Sequence, residues 1–291
     1  MVAAYKKEYV KNAILVSYTS LTDFLKCPRA YYLKNIYRDS RQGYKLQIAS
    51  PYLTLGAIVH DVIKWYLEAE YKPTKEESVK KFRNLWLKYR LKKGGFASVE
   101  QEAEFGKRGL KMLDNFLDHA DVLEKCAPFL HFPKFKLVDD ILLFGNMDFI
   151  GECEDGSLHV VDFKTGSKDE NSALQLNIYA ILAEANLQKP VSKASFWYLD
   201  RDDGPKNIVL DPLDGQIEYL KQKGLELKEA ILKNEWVCVD SPNLCRNCRD
   251  YQDILDGKGE YLFADNSFKK EVYFLNRVLP QAEDLSSSNP V

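Results

Sequence analysis

Residues 158–166 read LHVVDFKTG, a short apolar run that ends in an acid, an aromatic residue, a lysine and a glycine. The β-branched residues and the closing glycine predict a β-strand that ends near Lys164. Side chains alternate along a strand, so Asp162 and Lys164 project from one face and Phe163 from the other. A carboxylate that holds a divalent cation, beside an ammonium that orients water and balances negative charge, suits phosphodiester hydrolysis. A strand-end ion pair is the alternative interpretation.

A second acid, Asp148, lies in a neighbouring apolar run, and the loop between the two runs decides whether the acids meet. A two-residue turn at 155–156 would place Asp148 opposite Phe163, on the wrong face. A three-residue loop at 154–156, with its glycine in the left-handed region, would place Asp148 opposite Asp162. Only the second register lets both carboxylates share one cation, so the chemistry predicts the longer loop.

The charge balance excludes a generally basic nucleic-acid coat. The 291-residue chain carries 41 Lys and Arg against 43 Asp and Glu, which gives a net charge of −2. Residues 80–93 nevertheless hold seven basic residues and no acid, with aromatic residues between them. The segment is interpreted either as an amphipathic helix with a solvated polar face or as a helix that tracks phosphates. In the second case the candidate DNA contacts are Lys88, Arg90, Lys92 and Lys93.

The hydrophobic period of the chain changes after Pro133. Apolar residues before it recur at helical spacing, whereas short runs with turn signals after it predict strands, with further helices among them. This order predicts an α/β fold with an N-terminal helical lobe. The predicted helices are 17–37, 55–70, 74–95, 100–120, 171–186 and 213–233. No run approaches the ~20 apolar residues of a membrane span, and no signal peptide is evident, so we expect a cytoplasmic protein without membrane contact.

These residues resemble the PD-(D/E)XK nuclease superfamily, and specifically its RecB-like branch. That branch includes the nuclease domains of RecB and AddB and the CRISPR-associated iron–sulfur exonucleases. The superfamily pattern of an acid, a spacer and D-x-K matches Asp148, Asp162 and Lys164. The upstream L-G-x-x-x-H motif of the branch matches residues 55–60, and its downstream Q-x-x-x-Y motif matches residues 175–179. The motifs occur in the family's order over most of the chain.

The resemblance implies a restriction-endonuclease-like core with a central mixed sheet flanked by helices. An N-terminal helical region (1–131), a nuclease core (132–236) and a cysteine-bearing C-terminal segment (237–291) would form one integrated nuclease domain.

The resemblance also implies the site residues. Mg²⁺ or Mn²⁺ would be held by His60, Asp148, Asp162 and the backbone carbonyl of Phe163, and an imidazole among oxygen ligands favours Mn²⁺. The implied catalytic residues are Asp148, Asp162, Lys164, Gln175 and Tyr179. The alternatives are a partly buried helical histidine at position 60 and ordinary helix packing at positions 175 and 179. No role is assigned to His119, His131 or His159.

Four cysteines lie near the two ends of the chain: Cys27, Cys238, Cys245 and Cys248. A cysteine near the N-terminus with a C-terminal C-x-x-C resembles the iron–sulfur nucleases of the branch, in which a [4Fe–4S] cluster joins both ends of the domain. This chain has Ile254 where that family has its last cysteine, and Cys238 is the expected replacement. A Zn²⁺ site with the same ligands is the alternative, as is a lost cluster with Cys238 as a buried apolar residue. Cys126 and Cys153 are expected to be plain core residues.

The sequence therefore predicts a metal-dependent deoxyribonuclease, an exonuclease on single-stranded DNA or DNA ends. It has no G-x-x-x-x-G-K-[ST] phosphate loop, so any motor would be a separate helicase. A CRISPR adaptation protein is another expected partner. The alternative functions are a nucleic-acid-binding or scaffold subunit of a repair or CRISPR-type complex with a vestigial nuclease site, and an interaction module with a purely structural thiolate site.

Overall fold

The computed structural model describes residues 13–170 and 172–276. Its N-terminal part is mainly helical and carries two short strands. In chain order the elements are β1 (Ile14–Val16), α1 (Tyr18–Lys26), α2 (Pro28–Tyr31), β2 (Lys45–Ile48), α3 (Pro51–Glu68), α4 (Lys75–Trp86) and α5 (Val99–His119).

The second part mixes strands and helices. Its elements are β3 (Lys125–Cys126), β4 (Lys134–Val138), β5 (Ile141–Phe144), β6 (Phe149–Glu152), β7 (Leu158–Lys164), α6 (Leu174–Leu187), β8 (Val191–Tyr198), β9 (Lys206–Asn207), α7 (Leu213–Lys233), α8 (Arg246–Leu255), β10 (Glu260–Asp265) and β11 (Lys270–Phe274).

The central sheet has five strands in the order β3-β6-β7-β8-β9. β7 and β8 are parallel, and the other pairs are antiparallel, so the sheet is mixed. Two three-stranded sheets, β1-β5-β4 and β10-β11-β2, join distant parts of the chain. The predicted α/β architecture is confirmed, with a mixed central sheet, helices around it and a C-terminal cysteine cluster. The division into three regions stays a prediction.

Both faces of the central sheet are covered. On one face, Phe163 and Trp197 pack against α3 and α5 in a single apolar cluster. On the other face, Val160 and Phe196 pack against Leu176 of α6. A strand buried on both sides explains the near-continuous apolar run before Asp162. The polar residues at the end of that strand are therefore the exceptional ones.

Local signals set the beginnings of the helices beside this sheet. Pro51 occupies the first turn of α3, where its missing N–H costs no hydrogen bond. Thr74 and Glu77 form a reciprocal capping box at the start of α4. Ser98 accepts the N–H of Gln101 at the start of α5.

The predicted hairpin register is confirmed. Phe149 pairs with Val161 across β6 and β7, and Gly151 pairs with His159. At the end of the hairpin the Cys153 N–H donates to the Ser157 carbonyl at 2.9 Å, so the loop between them has three residues, 154–156. The glycine among them has a φ of +81°. This is the longer of the two loops considered, and extending its register by one residue sets Asp148 opposite Asp162.

The basic segment 80–93 is not one helix, contrary to the sequence-based expectation. α4 ends at Trp86, short 3₁₀ turns follow, and Arg90 between them is extended. The reason is Glu102 of α5, a buried carboxylate that pairs with the Arg90 guanidinium at 2.5 Å and accepts the Leu91 N–H at 2.9 Å. These contacts pull the backbone out of the helical path.

Among the described residues, no helix is both long enough and apolar enough to cross a bilayer.

Candidate active site

Asp148 lies just before β6 and Asp162 lies near the end of the neighbouring strand β7, at the same end of the central sheet. Asp148 directly precedes β6, and its Oδ2 accepts the backbone N–H of Phe163 at 3.0 Å. This hydrogen bond ties the carboxylate to the adjacent strand. The alternation of β7 places Phe163 in the apolar core and leaves Asp162 and Lys164 on the opposite face.

His60 reaches this corner from α3. Its Nδ1 lies 2.9 Å from Asp148 Oδ1. Burial alone would lower the pKa of His60, but the charge and hydrogen bond of Asp148 outweigh it and raise the pKa to about 9. The Asp148 carboxylate therefore favours the imidazolium form of His60 at neutral pH.

Asp162 is almost fully buried, with 4% of its surface exposed. Burial, reinforced by the nearby Asp148, raises the pKa of Asp162 to about 7, and Lys164 opposes this shift. The Lys164 ammonium lies 3.0 Å from Asp162 and 3.2 Å from Glu170. Burial would lower the pKa of Lys164, but Asp162 and Glu170 raise it above its usual value. Lys164 therefore stays charged, which suits it to stabilise negative charge and orient water rather than to abstract a proton.

One amide connects the charged groups. Gln175 of α6 donates from Nε2 to Asp162 Oδ1 at 2.7 Å and to the Tyr179 hydroxyl at 3.0 Å. Its Oε1 accepts from Lys164 Nζ at 2.7 Å. Burial, reinforced by Asp162 and Asp148, keeps the pKa of Tyr179 well above its usual value, so its hydroxyl stays protonated. Gln175, at the start of the predicted Q-x-x-x-Y motif, thus positions Asp162 and Lys164, and Tyr179 at its end holds Gln175.

The donor types at this corner fit a hard divalent cation, since two carboxylates and an imidazole face one another. The candidate ligand atoms of His60, Asp148 and Asp162 do not converge on a single position. Asp162 is held by Lys164 and Gln175, while Asp148 is held by His60 and the chain. Within the described ranges, the four cysteines are the one set of three or more ligating side chains whose donor atoms all lie within 4.8 Å of one another. Shared coordination by His60, Asp148 and Asp162 stays a prediction.

The four cysteines form a compact buried cluster although more than 200 residues separate Cys27 from the others. Cys248 Sγ lies 3.5 Å from Cys238 Sγ and 3.7 Å from Cys245 Sγ. Cys238 also accepts the Cys245 N–H at 3.1 Å. Burial would raise the pKa of Cys238, but backbone N–H groups outweigh it and lower the pKa to about 7. At Cys248, burial and the neighbouring sulfurs raise the pKa instead, so within this pair the thiolate form is favoured at Cys238.

Cys238, the expected replacement for the cysteine that is missing at position 254, lies within the cluster. Ile254 lies on α8 in a different apolar cluster, with Leu46 and Tyr273. The remaining two cysteines lie outside the thiolate cluster, as expected. Cys126 packs at the edge of the core beside α3 and α5, whereas Cys153 is only half-buried near Ser192, so the core assignment of Cys153 was wrong.

A sequence model of the PD-(D/E)XK nuclease superfamily matches residues 15–254, which include every element of the site described above. The chain belongs to this superfamily. The crystal structure of a putative exonuclease from Eubacterium rectale is similar over 94% of this chain and 93% of its own, with 12% sequence identity and a TM-score of 0.45. No curated protein matches the chain.

In this PD-(D/E)XK protein, the contacts of the basic residues proposed to bind DNA are with residues other than those of the Asp162 corner. Arg90 pairs with Glu102, and Lys92 pairs with Glu260 at 2.7 Å. Lys93 lies over the ring of Phe263, 6.0 Å from its centroid. Lys88 lies in the 3₁₀ turn after α4. The four side chains therefore do not form the continuous helical stripe that the sequence suggested.

The three unassigned histidines differ in their surroundings. His159 is buried between Glu124 at 2.8 Å and Ser195 at 2.7 Å, on the face of β7 opposite Asp162. This order of groups resembles a hydrolase triad, but Ser195 is fully buried and no substrate can reach it, so the network is structural. His119 contacts the carbonyl of Asn115 in its own helix.

Sequence analysis missed two residues near the candidate site. Glu170 pairs with Lys164 from a polar loop that has no periodicity and no motif. His131 lines a cleft that also contains His60 and Asp148. Neither position carries a sequence signal that separates it from an ordinary surface residue, because each depends on how a loop folds back over the sheet.

Proposed function

We propose that this superfamily member is a metal-dependent deoxyribonuclease of the RecB-like branch, which degrades single-stranded DNA or DNA ends as an exonuclease. The observation that carries the proposal is the Asp162–Lys164–Gln175 contact set beside the His60–Asp148 pair. An ion pair that served stability alone would not need a second carboxylate, an imidazole and a bridging amide at the end of one buried strand.

Each residue has a role in this proposal. His60, Asp148, Asp162 and the Phe163 carbonyl would hold Mg²⁺ or Mn²⁺, which supplies Lewis-acid activation of water and of the phosphate when bound. Lys164 places a fixed positive charge where the phosphorane oxygens become more negative. Gln175 and Tyr179 are positioning residues, since Gln175 holds Asp162 and Lys164 through hydrogen bonds and Tyr179 accepts a hydrogen bond from Gln175.

The thiolate cluster is proposed to be a structural metal site. A tetrahedral Zn²⁺ with Zn–S bonds of about 2.3 Å places its sulfurs about 3.8 Å apart, close to the 3.5 and 3.7 Å between cysteine sulfurs here. A [4Fe–4S] cluster binds its thiolates on four different irons, so these sulfurs would have to move apart to accept it. The spacing therefore favours Zn²⁺ over the cluster that the resemblance implies. Metal analysis of anaerobically purified protein, for zinc against iron and sulfide, decides between them.

Nuclease activity is tested on single strands labelled at the 5′ or the 3′ end, with Mn²⁺ or Mg²⁺. The wild type should release short products, and Asp162→Asn should abolish them. Asp203→Asn, at an exposed acid outside the site, is the matched control. A circular single strand has no ends, so an exonuclease leaves it intact. Binding of DNA without cleavage under all these conditions would refute the proposal and favour the scaffold function.

A further inference from the structure

A cleft of about 400 Å³ opens directly beside the candidate active site. His60, Asp148 and Phe163 form one part of its wall, and the loop 129–132 forms another part. The volume falls within the range of about 300–1,000 Å³ that is usual for pockets that bind small molecules. Whatever enters the cleft therefore lies against the same carboxylate that is proposed to hold the catalytic metal.

The loop 129–132 presents aromatic residues to this cleft. Phe129 is half-buried in the wall, whereas Phe132 is 64% exposed. Phe132 also has a φ of +49°, a left-handed conformation that is unusual for a bulky side chain, and Pro133 follows it. A proline disfavours the helical region for the residue before it. Pro133 is buried and directly precedes β4. The chain thus holds a large apolar side chain in solvent at the cost of backbone strain.

The charges of the cleft argue against a phosphate as its occupant. Asp61 and Glu68 line it together with Asp148, and Lys64, the lysine of the lining, lies 3.8 Å from Glu68. The three carboxylates outnumber Lys64 and the imidazolium of His60, so a phosphate that enters the cleft without a metal ion meets net negative charge. A nucleobase is uncharged, offers an apolar face for stacking, and carries polar edges that suit the exposed Asn146 and His131.

We propose that this cleft binds one unpaired nucleobase next to the scissile phosphate, with Phe132 as the stacking surface. The inference rests on the proposed nuclease function, because it identifies the substrate group that lies beside the same site. A base can enter only after it has left the helical stack and its partner strand. The cleft therefore selects single-stranded substrate, and it does so without sequence preference because every base has an aromatic face.

The test measures binding of short fluorescein-labelled oligothymidylate and of an abasic strand of equal length, without added divalent metal so that cleavage does not interfere. Removal of an aromatic side chain on which a base stacks usually weakens the affinity for the strand by about fivefold or more. Phe132→Ala should weaken oligothymidylate binding by at least that factor and leave abasic binding unchanged. Phe132→Tyr should restore the preference for bases. Phe268→Ala removes an equally exposed phenylalanine outside the cleft and should have no effect.

The inference is overturned if the wild type binds both strands equally, or if Phe132→Ala keeps the full preference for bases. Its failure is distinguishable from failure of the nuclease assignment. A protein that cleaves DNA but ignores Phe132 refutes the base pocket alone. A protein with Phe132-dependent base binding and no cleavage refutes the nuclease assignment and leaves a single-strand-binding site.

Discussion

Gln175 on α6 donates its side-chain amide to Asp162 on β7 across 2.7 Å, and its carbonyl oxygen accepts from Lys164 at an equal distance. The amide thus satisfies a buried carboxylate and a half-buried ammonium at once. Since both are proposed to act on the substrate, the geometry of the reaction depends on a residue that is not proposed to contact it.

Replacement of Gln175 by Ala should lower kcat by about tenfold to 100-fold, the usual effect of losing a group that orients a metal ligand. KM should change little, because Gln175 is not proposed to bind DNA. Steady-state kinetics on a single-stranded substrate measure kcat and KM separately. Gln222→Ala, which removes an exposed glutamine on α7, is the control. An effect confined to KM would place Gln175 in substrate binding instead.

Lys164→Ala should lower kcat by at least about 100-fold while metal binding is retained, because its charge acts mainly in the transition state. Single-turnover cleavage and Mn²⁺ titration measure the two properties. Lys189→Ala, which removes a lysine paired with Glu152 at the surface, should cleave normally. A Lys164→Ala protein that cuts within about threefold of the wild type would contradict the role assigned to the lysine.

Cys238→Ser should remove the metal of the thiolate cluster and destabilise the fold, because the cluster joins segments far apart in sequence. A loss of about 2 kcal/mol or more would lower Tm by at least about 4 °C in a chain of this size. Elemental analysis and thermal melts measure both effects. Cys153→Ser, outside the cluster, is the control. Unchanged metal content in Cys238→Ser would mean that another group supplies the fourth ligand.

Acidification should destabilise the protein through His159. Burial lowers the pKa of this histidine, and Glu124 opposes the shift only in part. Below a pH of about 6.5 the unfolded chain therefore binds a proton that the folded chain does not, so the free energy of unfolding falls with pH. His60 and Asp162, whose pKa values are raised, contribute with the opposite sign over the same pH range, so the effect of His159 is measured as a difference between two proteins. In denaturant melts between about pH 7.5 and pH 5.5, acidification should lower the free energy of unfolding of the wild type relative to that of His159→Gln. Equal pH dependence in both proteins would exclude His159 as the source.

Local patterns of the chain determined the elements that carry the site. The apolar run before Asp162 is β7. The helix predicted at 171–186 is α6, which begins at Leu174 and ends at Leu187. The parity of side chains along a strand selected the hairpin loop, because a one-residue slip would move Asp148 to the other face. These features depend on residues that are close in sequence, and hydrophobic periodicity is a pattern of such residues, so it predicts them.

Tertiary structure alone decided the contacts between distant segments. Glu102 breaks the basic helix at Arg90, and β2 exists because β11 pairs with it in parallel more than 220 residues later. Cys238 rather than position 254 meets Cys27 because α8 turns Ile254 toward another cluster. Such contacts follow from how whole elements pack against one another. A local sequence pattern does not predict which residues far apart in the chain will meet. The motif order of the sequence predicted which residues matter; the packing of α3, α6 and the loop 129–132 around one end of the sheet decided what each of them contacts.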